Sequence, residues 1–77
     1  MDLESLKKLS LDEMVKLAIK SKDSKTLDLI AQTNCNYAKL FVARNHHTSG
    51  RTLERLSKAD CVSVREAAIS TAKKAYA

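Results

Sequence analysis

The sequence contains no proline, no tryptophan and a single glycine, Gly50. A sheet of several strands needs more turn-forming residues than this, whereas the abundant leucine, alanine and lysine favour helix. One glycine is also too few for a glycine-rich phosphate-binding loop. We therefore expect an all-α protein, with its 77 residues in one small domain.

Long apolar runs are missing as well. The longest, Leu40–Ala43, is far short of the ~20 residues that a membrane-spanning helix needs. The N-terminal letters MDLESLKK place acidic residues where a secretory signal has basic ones, and no apolar segment follows them. We expect a cytoplasmic protein with no membrane contact.

Cysteine and histidine are scarce, with two of each in the chain. Cys35 and Cys61 hold the same position in successive repeats, described below, so we expect them ~8–10 Å apart. That exceeds the ~7 Å limit for the Cα atoms of a disulfide, and we expect two reduced, structural thiols. A zinc site with His46 or His47 is the less favoured alternative, because the spacing matches no common zinc pattern.

The two histidines are the only candidates for acid–base chemistry. They follow a predicted helix, where a positive imidazolium meets the C-terminal carbonyls, and no acidic residue is near them in sequence. We expect no catalytic residue, no cofactor and no metal, and the sequence does not indicate an enzyme.

An internal repeat organises the chain. The segment TLDLIAQTNCNYAK, Thr26–Lys39, returns without a gap as TLERLSKADCVSVR, Thr52–Arg65, and nine of the fourteen positions keep their chemistry. The step from Thr26 to Thr52 sets the period, and a fixed period between about 20 and 50 residues is typical of stacked structural repeats. We therefore expect neighbouring units to pack side by side and to bury a shared apolar face.

Capping residues mark the start of each predicted helix. The clearest is Ser10, which forms an S-x-x-E capping box with Glu13 directly before an apolar series. The other predicted caps are Asp2, Asp23 or Ser24, a residue within 34–36, Thr48 or Ser49, and Ser63 in a second box with Glu66.

Apolar residues at i, i+3, i+4 and i+7 predict the buried face of each helix. The second helix has Leu11, Met14, Val15 and Ala18, the fourth has Ala38, Phe41, Val42 and Asn45, and the sixth has Val64, Ala67, Ala68 and Thr71. Phe41 is predicted to lie in the core beside Ala67. We expect six helices in three antiparallel pairs within one domain, 1–77: a capping pair at 1–22 and repeats at 24–47 and 49–76.

Three segments resemble a known family: LFVARN at Leu40–Asn45, TLERLS at Thr52–Ser57 and VREAAIS at Val64–Ser70. They are similar to the leucine-rich repeat variant and to related HEAT-like α-solenoids, which include alkylpurine DNA glycosylases. The resemblance implies a short right-handed α-solenoid with a curved binding surface lined by the second helix of each pair. It does not imply a glycosylase, because the chain has no tryptophan and no counterpart of the base-handling residues.

The net charge of +5 is confined to the second half of the chain. Residues 1–35 have six basic and six acidic side chains, whereas residues 36–77 have eight basic and three acidic ones. The repeat places Lys39 above Arg65 and Lys25 above Arg51, a basic ladder that could follow a nucleic-acid backbone. An ordinary solvated helix surface explains the same charges, and we favour it.

The function that these features favour is a small protein-interaction module, an adaptor or an inhibitor of a larger protein partner. The expected contact residues are Tyr37, Lys39, Arg44, Arg51, Arg55 and Arg65. The alternative is nucleic-acid backbone binding through the basic second half. A homodimer is a third hypothesis, because the terminal helix has Val64, Ala68 and Ala72 on one side, Ile69 and Tyr76 on another, and no polar cap.

Overall fold

The computed structural model describes residues 2–76, apart from the side chain of Tyr76. This part of the chain contains six helices and no strand. The helices are α1 Leu3–Lys7, α2 Leu11–Lys20, α3 Ser24–Ala31, α4 Asn36–Arg44, α5 Gly50–Leu56 and α6 Val62–Tyr76. The all-α prediction is confirmed.

Several predicted caps are confirmed. Ser10 and Glu13 form the capping box of α2: Ser10 Oγ accepts the Glu13 N–H at 3.2 Å, and Glu13 Oε1 accepts the Ser10 N–H at 3.3 Å. Asp23 caps α3 and Ser49 caps α5, which decides both open alternatives.

Asp2 caps α1 as predicted, and its carboxylate accepts the backbone N–H of Ser5 at 2.9 Å. This hydrogen bond holds the pKa of Asp2 below its usual value of 3.8, because it favours the charged form. The ionised cap therefore stabilises the short helix at pH values above 3.8, and this stabilisation is lost as the pH falls through the lowered pKa of Asp2.

The start of α4 agrees with the cap predicted within 34–36, whereas the start of α6 differs from the prediction. Cys35 is the N-cap of α4, and its Sγ accepts the N–H of Ala38 at 3.5 Å. The predicted capping box of Ser63 with Glu66 is wrong. The carbonyl of Cys61 already accepts the N–H of Arg65 at 3.0 Å, so α6 begins at Val62 and Ser63 lies within its first turn.

The six helices lie in two rows. Helices α1, α3 and α5 contact one another in that order and form the first-helix row, and α2, α4 and α6 form the second-helix row in the same way. The two rows pack against each other through contacts between consecutive helices of the chain. These contacts are α2 with α3, α3 with α4, α4 with α5 and α5 with α6. The sequence repeat corresponds to this arrangement, because the step from the start of α3 at Ser24 to that of α5 at Gly50 equals the step from α4 at Asn36 to α6 at Val62.

The apolar core lies between the two rows and draws on all six helices. Its fully or almost fully buried members are Leu6, Met14, Ala18, Leu27, Ile30, Ala38, Val42, Ala43, Leu53, Leu56, Val64 and Ala68. The prediction is wrong for Phe41, which is only half-buried at the edge of the core. Leu40, rather than Phe41, shares a depression with Ala67, because α4 turns Phe41 towards α2.

Asn45 connects two helices of the second-helix row. Its Nδ2 donates to the carbonyls of Ala18 and Ser21, both at 2.9 Å, where α2 ends. Its Oδ1 accepts the backbone N–H of His47 at 2.7 Å, which shapes the segment that leads to α5. The side chain is buried, so these bonds satisfy helix-end groups that water does not reach freely.

We expect Asn45→Ala to lower the free energy of unfolding by about 1–3 kcal/mol, because it leaves the buried carbonyl of Ala18 and the half-buried carbonyl of Ser21 without this donor. Urea denaturation followed by circular dichroism measures the loss. Asn34→Ala is the matched control, since it removes an exposed amide. Equal unfolding midpoints for the two variants would show that the connection at Asn45 does not contribute to stability.

Candidate interaction surface

The exposed apolar side chains are concentrated on one row. Among the described residues, the large apolar side chains with exposures of 42% to 56% all lie on the second-helix row. They are Leu11 and Ile19 on α2, Tyr37 on α4, and Val62 and Ile69 on α6. Single exposed apolar residues are common on proteins, but their restriction to one row indicates a surface suited to a partner.

Three of these residues lie at helix starts. Leu11, Tyr37 and Val62 each stand within the first two residues of α2, α4 and α6. Asn45, at the end of α4, bonds to the end of α2, so these two helices have their C-terminal ends together. Leu11 and Tyr37 therefore lie towards the same end of the row.

Two depressions run between the helices of this row. The first separates α2 from α4, measures about 220 Å³ and is lined by Ile19, Phe41, Arg44 and Asn45. The second separates α4 from α6, measures about 530 Å³ and is lined by Leu40, Arg44, His46, Ser63, Glu66, Ala67, Ser70, Thr71 and Lys74. Arg44 borders both depressions and is thus the central side chain of the surface.

An aromatic pair stands next to Arg44 on the same helix. The rings of Tyr37 and Phe41 are one helical turn apart, with centroids separated by 5.6 Å and planes inclined by 53°. Tyr37 is exposed and Phe41 half-buried, so the pair is anchored at one end and open at the other. Tyr37, Phe41 and Arg44 follow each other at i, i+4 and i+7, a stripe along one face of α4.

Two cations of the second-helix row, Arg44 and Lys74, are outside the ion pairs of the described residues. The ion pairs found among the described residues join Lys16 with Asp12, Arg55 with Asp28, and Lys58 with Glu54. None of them includes Arg44 or Lys74, which are both exposed. Arginine and tyrosine are the residue types that most often contribute strongly to protein interfaces.

The six residues predicted from the sequence do not form one patch. Tyr37, Lys39 and Arg44 lie on α4 and Arg65 on α6, but Arg51 and Arg55 lie on α5, in the first-helix row. The structure therefore brings only Tyr37 and Arg44 together as exposed members of one surface, while Lys39 and Arg65 are half-buried.

Two of the predicted arginines already have partners within the chain. Arg65 donates from Nη1 to the carbonyl of Ala59 at 3.0 Å. Arg55 lies 3.6 Å from Asp28, whose Oδ1 also accepts the Thr52 hydroxyl at 2.9 Å. These contacts hold helices and turns together, which accounts for part of the positive charge in the second half.

One of the two predicted pairs of stacked basic residues, Lys25 with Arg51, lines a common depression. This shallow depression of about 320 Å³ lies on the first-helix row and is also lined by Ser24, Asp28 and Ser49. The acidic Asp28 belongs to the same depression, so its lining is not purely basic.

Sequence patterns missed part of the surface. Leu11 was predicted to be buried with Met14 and Ala18, but it is exposed because it begins α2 at the end of the row. Ile19 falls outside the predicted stripe of α2, and that position alone could have identified it as an exposed apolar residue.

No group of three or more His, Cys, Asp or Glu side chains among the described residues could hold a metal ion. Cys35 and Cys61 are both free, half-buried thiols. None of the described helices has the length and apolar character needed to cross a membrane.

Comparison with known proteins identifies no family for the chain. No protein-family model matches it, and neither the curated proteins nor the solved structures contain a significant match. The resemblance to HEAT-like repeats stays a prediction.

Proposed function

We propose that this chain is a short HEAT-like α-solenoid of three antiparallel helix pairs, and that its second-helix row binds a larger protein as an adaptor or an inhibitor. The observation that supports this function best is the restriction of the exposed large apolar residues to that row. The two-row packing of the helices and the constant spacing of their starts support the solenoid.

The stripe on α4 supports a protein partner in particular. Protein interfaces combine aromatic anchors and arginine at their centre with a polar rim. Tyr37, Phe41 and Arg44 provide such a centre, and the polar depression between α4 and α6 adjoins it. Phe41 anchors the stripe to the core, so little side-chain freedom is lost when a partner covers Tyr37.

The size of the molecule also suits this function. Its Cα atoms extend over 34 × 23 × 17 Å. The largest face is therefore comparable with the ~800 Å² that each partner contributes to an interface of standard size. A chain this small can occupy a partner's surface with most of one face, as an inhibitor or an adaptor does.

We expect a photo-crosslinking amino acid in place of Tyr37 to capture a protein of the native host, and Arg44→Glu in the same chain to abolish that capture. The new carboxylate would place an uncompensated negative charge at the centre of the contact. Gel electrophoresis and mass spectrometry of the crosslinked product measure the effect.

Arg51→Glu is the control with the same change of charge, because Arg51 is exposed on the first-helix row. Capture should continue in this variant. Loss of capture with Arg51→Glu and full capture with Arg44→Glu would place the contact on the other row and contradict the proposal.

Nucleic-acid backbone binding is the second candidate, and the shared depression of Lys25 and Arg51 is the observation in its favour. We expect it to fail, because Asp28 lies in that depression and the basic residues are divided between two rows. Fluorescence anisotropy with a random DNA duplex and an RNA single strand, at ~50 and ~200 mM salt, tests this expectation. Tight binding that collapses at the higher salt and is lost in Lys25→Ala with Arg51→Ala would establish this candidate instead.

A further inference from the structure

A second, mainly apolar groove lies between α5 and α6, and it includes Ile69 from the exposed apolar residues of the second-helix row. It has a volume of about 530 Å³ and is lined by Gly50, Leu53, Glu54, Ser57, Ile69, Ala72 and Lys73. Ile69 is the exposed apolar residue of this groove. The acidic Glu54 stands on the α5 wall and the basic Lys73 on the α6 wall, and both are exposed.

The repeat shows what kind of surface this is. One repeat earlier in the chain, Leu53 corresponds to Leu27, Ile69 to Ala43 and Glu54 to Asp28. Leu27 and Leu53 are both buried, but Ala43 is fully buried where Ile69 is exposed, and α5 packs against both α3 and α4. The groove between α5 and α6 is therefore the open equivalent of a surface that the fold itself covers with another helix pair.

The covered surface also shows the role of the acid. Asp28 accepts the Thr52 hydroxyl at 2.9 Å and lies 3.6 Å from the Arg55 guanidinium, so it binds the helix that covers it. Glu54 occupies the equivalent position. Its only ion pair among the described residues is a 3.9 Å contact with Lys58 that is largely exposed, and such contacts stabilise little.

The groove is complementary to itself in shape and in charge. Ile69 projects from the α6 wall, while Gly50, Ser57 and Ala72 are small and leave space for an apolar side chain. A two-fold axis along the groove sets α5 of one copy against α6 of the other. Glu54 of each copy then faces Lys73 of its partner, as an interface formed by the same patch on both subunits requires.

We propose that a second copy of this chain docks in the groove between α5 and α6 and forms a two-fold dimer, with Ile69 inserted in the partner's groove and two reciprocal Glu54–Lys73 ion pairs. The contact involves only two helices of each copy, and interfaces below standard size are weak and transient. The dimer is accordingly weak and reversible. The inference goes beyond the proposed function, since it leaves Tyr37 and Arg44 open to another partner.

Sedimentation velocity from micromolar to millimolar concentration tests the dimer, with circular dichroism as the check of the fold. We expect the wild type to shift from monomer to dimer and Ile69→Lys to remain a folded monomer. Glu54→Lys and Lys73→Glu should each remain monomeric alone, because each places like charges face to face. An equimolar mixture of these two variants should form a heterodimer, because positions 54 and 73 of facing copies then carry opposite charges in both contacts, one pair with the native polarity and one with it reversed.

Lys7→Glu is the control for Lys73→Glu, because it makes the same change of charge on the exposed face of α1 and should dimerise as the wild type does. A wild type that stays monomeric at millimolar concentration overturns the proposal. A dimer that persists in Ile69→Lys places the contact elsewhere and also overturns it. Absence of a dimer in the mixture of Glu54→Lys with Lys73→Glu excludes the two-fold arrangement.

Discussion

The second-helix row depends on the amide of Asn45. The last carbonyls of any helix have no partner within the helix, and beside the buried Ala18 water does not freely replace one. Asn45 satisfies Ala18 and Ser21 there while it also accepts the N–H of His47, so one side chain joins the ends of two helices to the following loop. The depression lined by Ile19, Phe41 and Arg44 lies directly beside this connection. The candidate surface is therefore positioned by a polar contact, whereas the apolar core holds the two rows together.

The same position has a different residue in the last pair, with a structural consequence. Thr71 is the repeat equivalent of Asn45 and is also buried, but it lies inside α6. Threonine has no amide with which to bridge two helix ends, and α6 continues to 15 residues where α4 ends after nine. Ala72 and Lys73 belong to this continuation and line the groove between α5 and α6. The difference between Asn45 and Thr71 is thus one of the changes that accompany the open surface of the last pair.

Most helix starts, and the equal steps between those of α3 and α5 and of α4 and α6, could be predicted from the sequence because they depend on neighbours within a few residues or on a fixed spacing. The exposure of individual side chains could not be predicted in this way. The apolar stripe of a helix shows which of its faces turns towards the core, but not how far the neighbouring helices cover that face. Leu11 and Phe41 both lie on predicted stripes. Leu11, however, begins a helix at the end of a row, and Phe41 faces the edge of the core. The sequence could have shown that Arg44 and Arg51 lie on different rows, since α4 is the second helix of its pair and α5 is the first helix of the next pair. The prediction placed both arginines in one patch because it selected them by residue type and did not consider which helix carries each.

Net charge is a poor measure of the cations that a partner can reach on this chain. Arg55 is shared with Asp28 and Arg65 with a backbone carbonyl, so two basic side chains of the second half stabilise contacts between helices and turns. Arg44 and Arg51 remain open but lie on different rows. A nucleic-acid backbone needs several adjacent cations, because each phosphate contact contributes separately to affinity. The proposed protein interface depends less on charge, because its stripe combines one cation, Arg44, with the aromatic side chains of Tyr37 and Phe41.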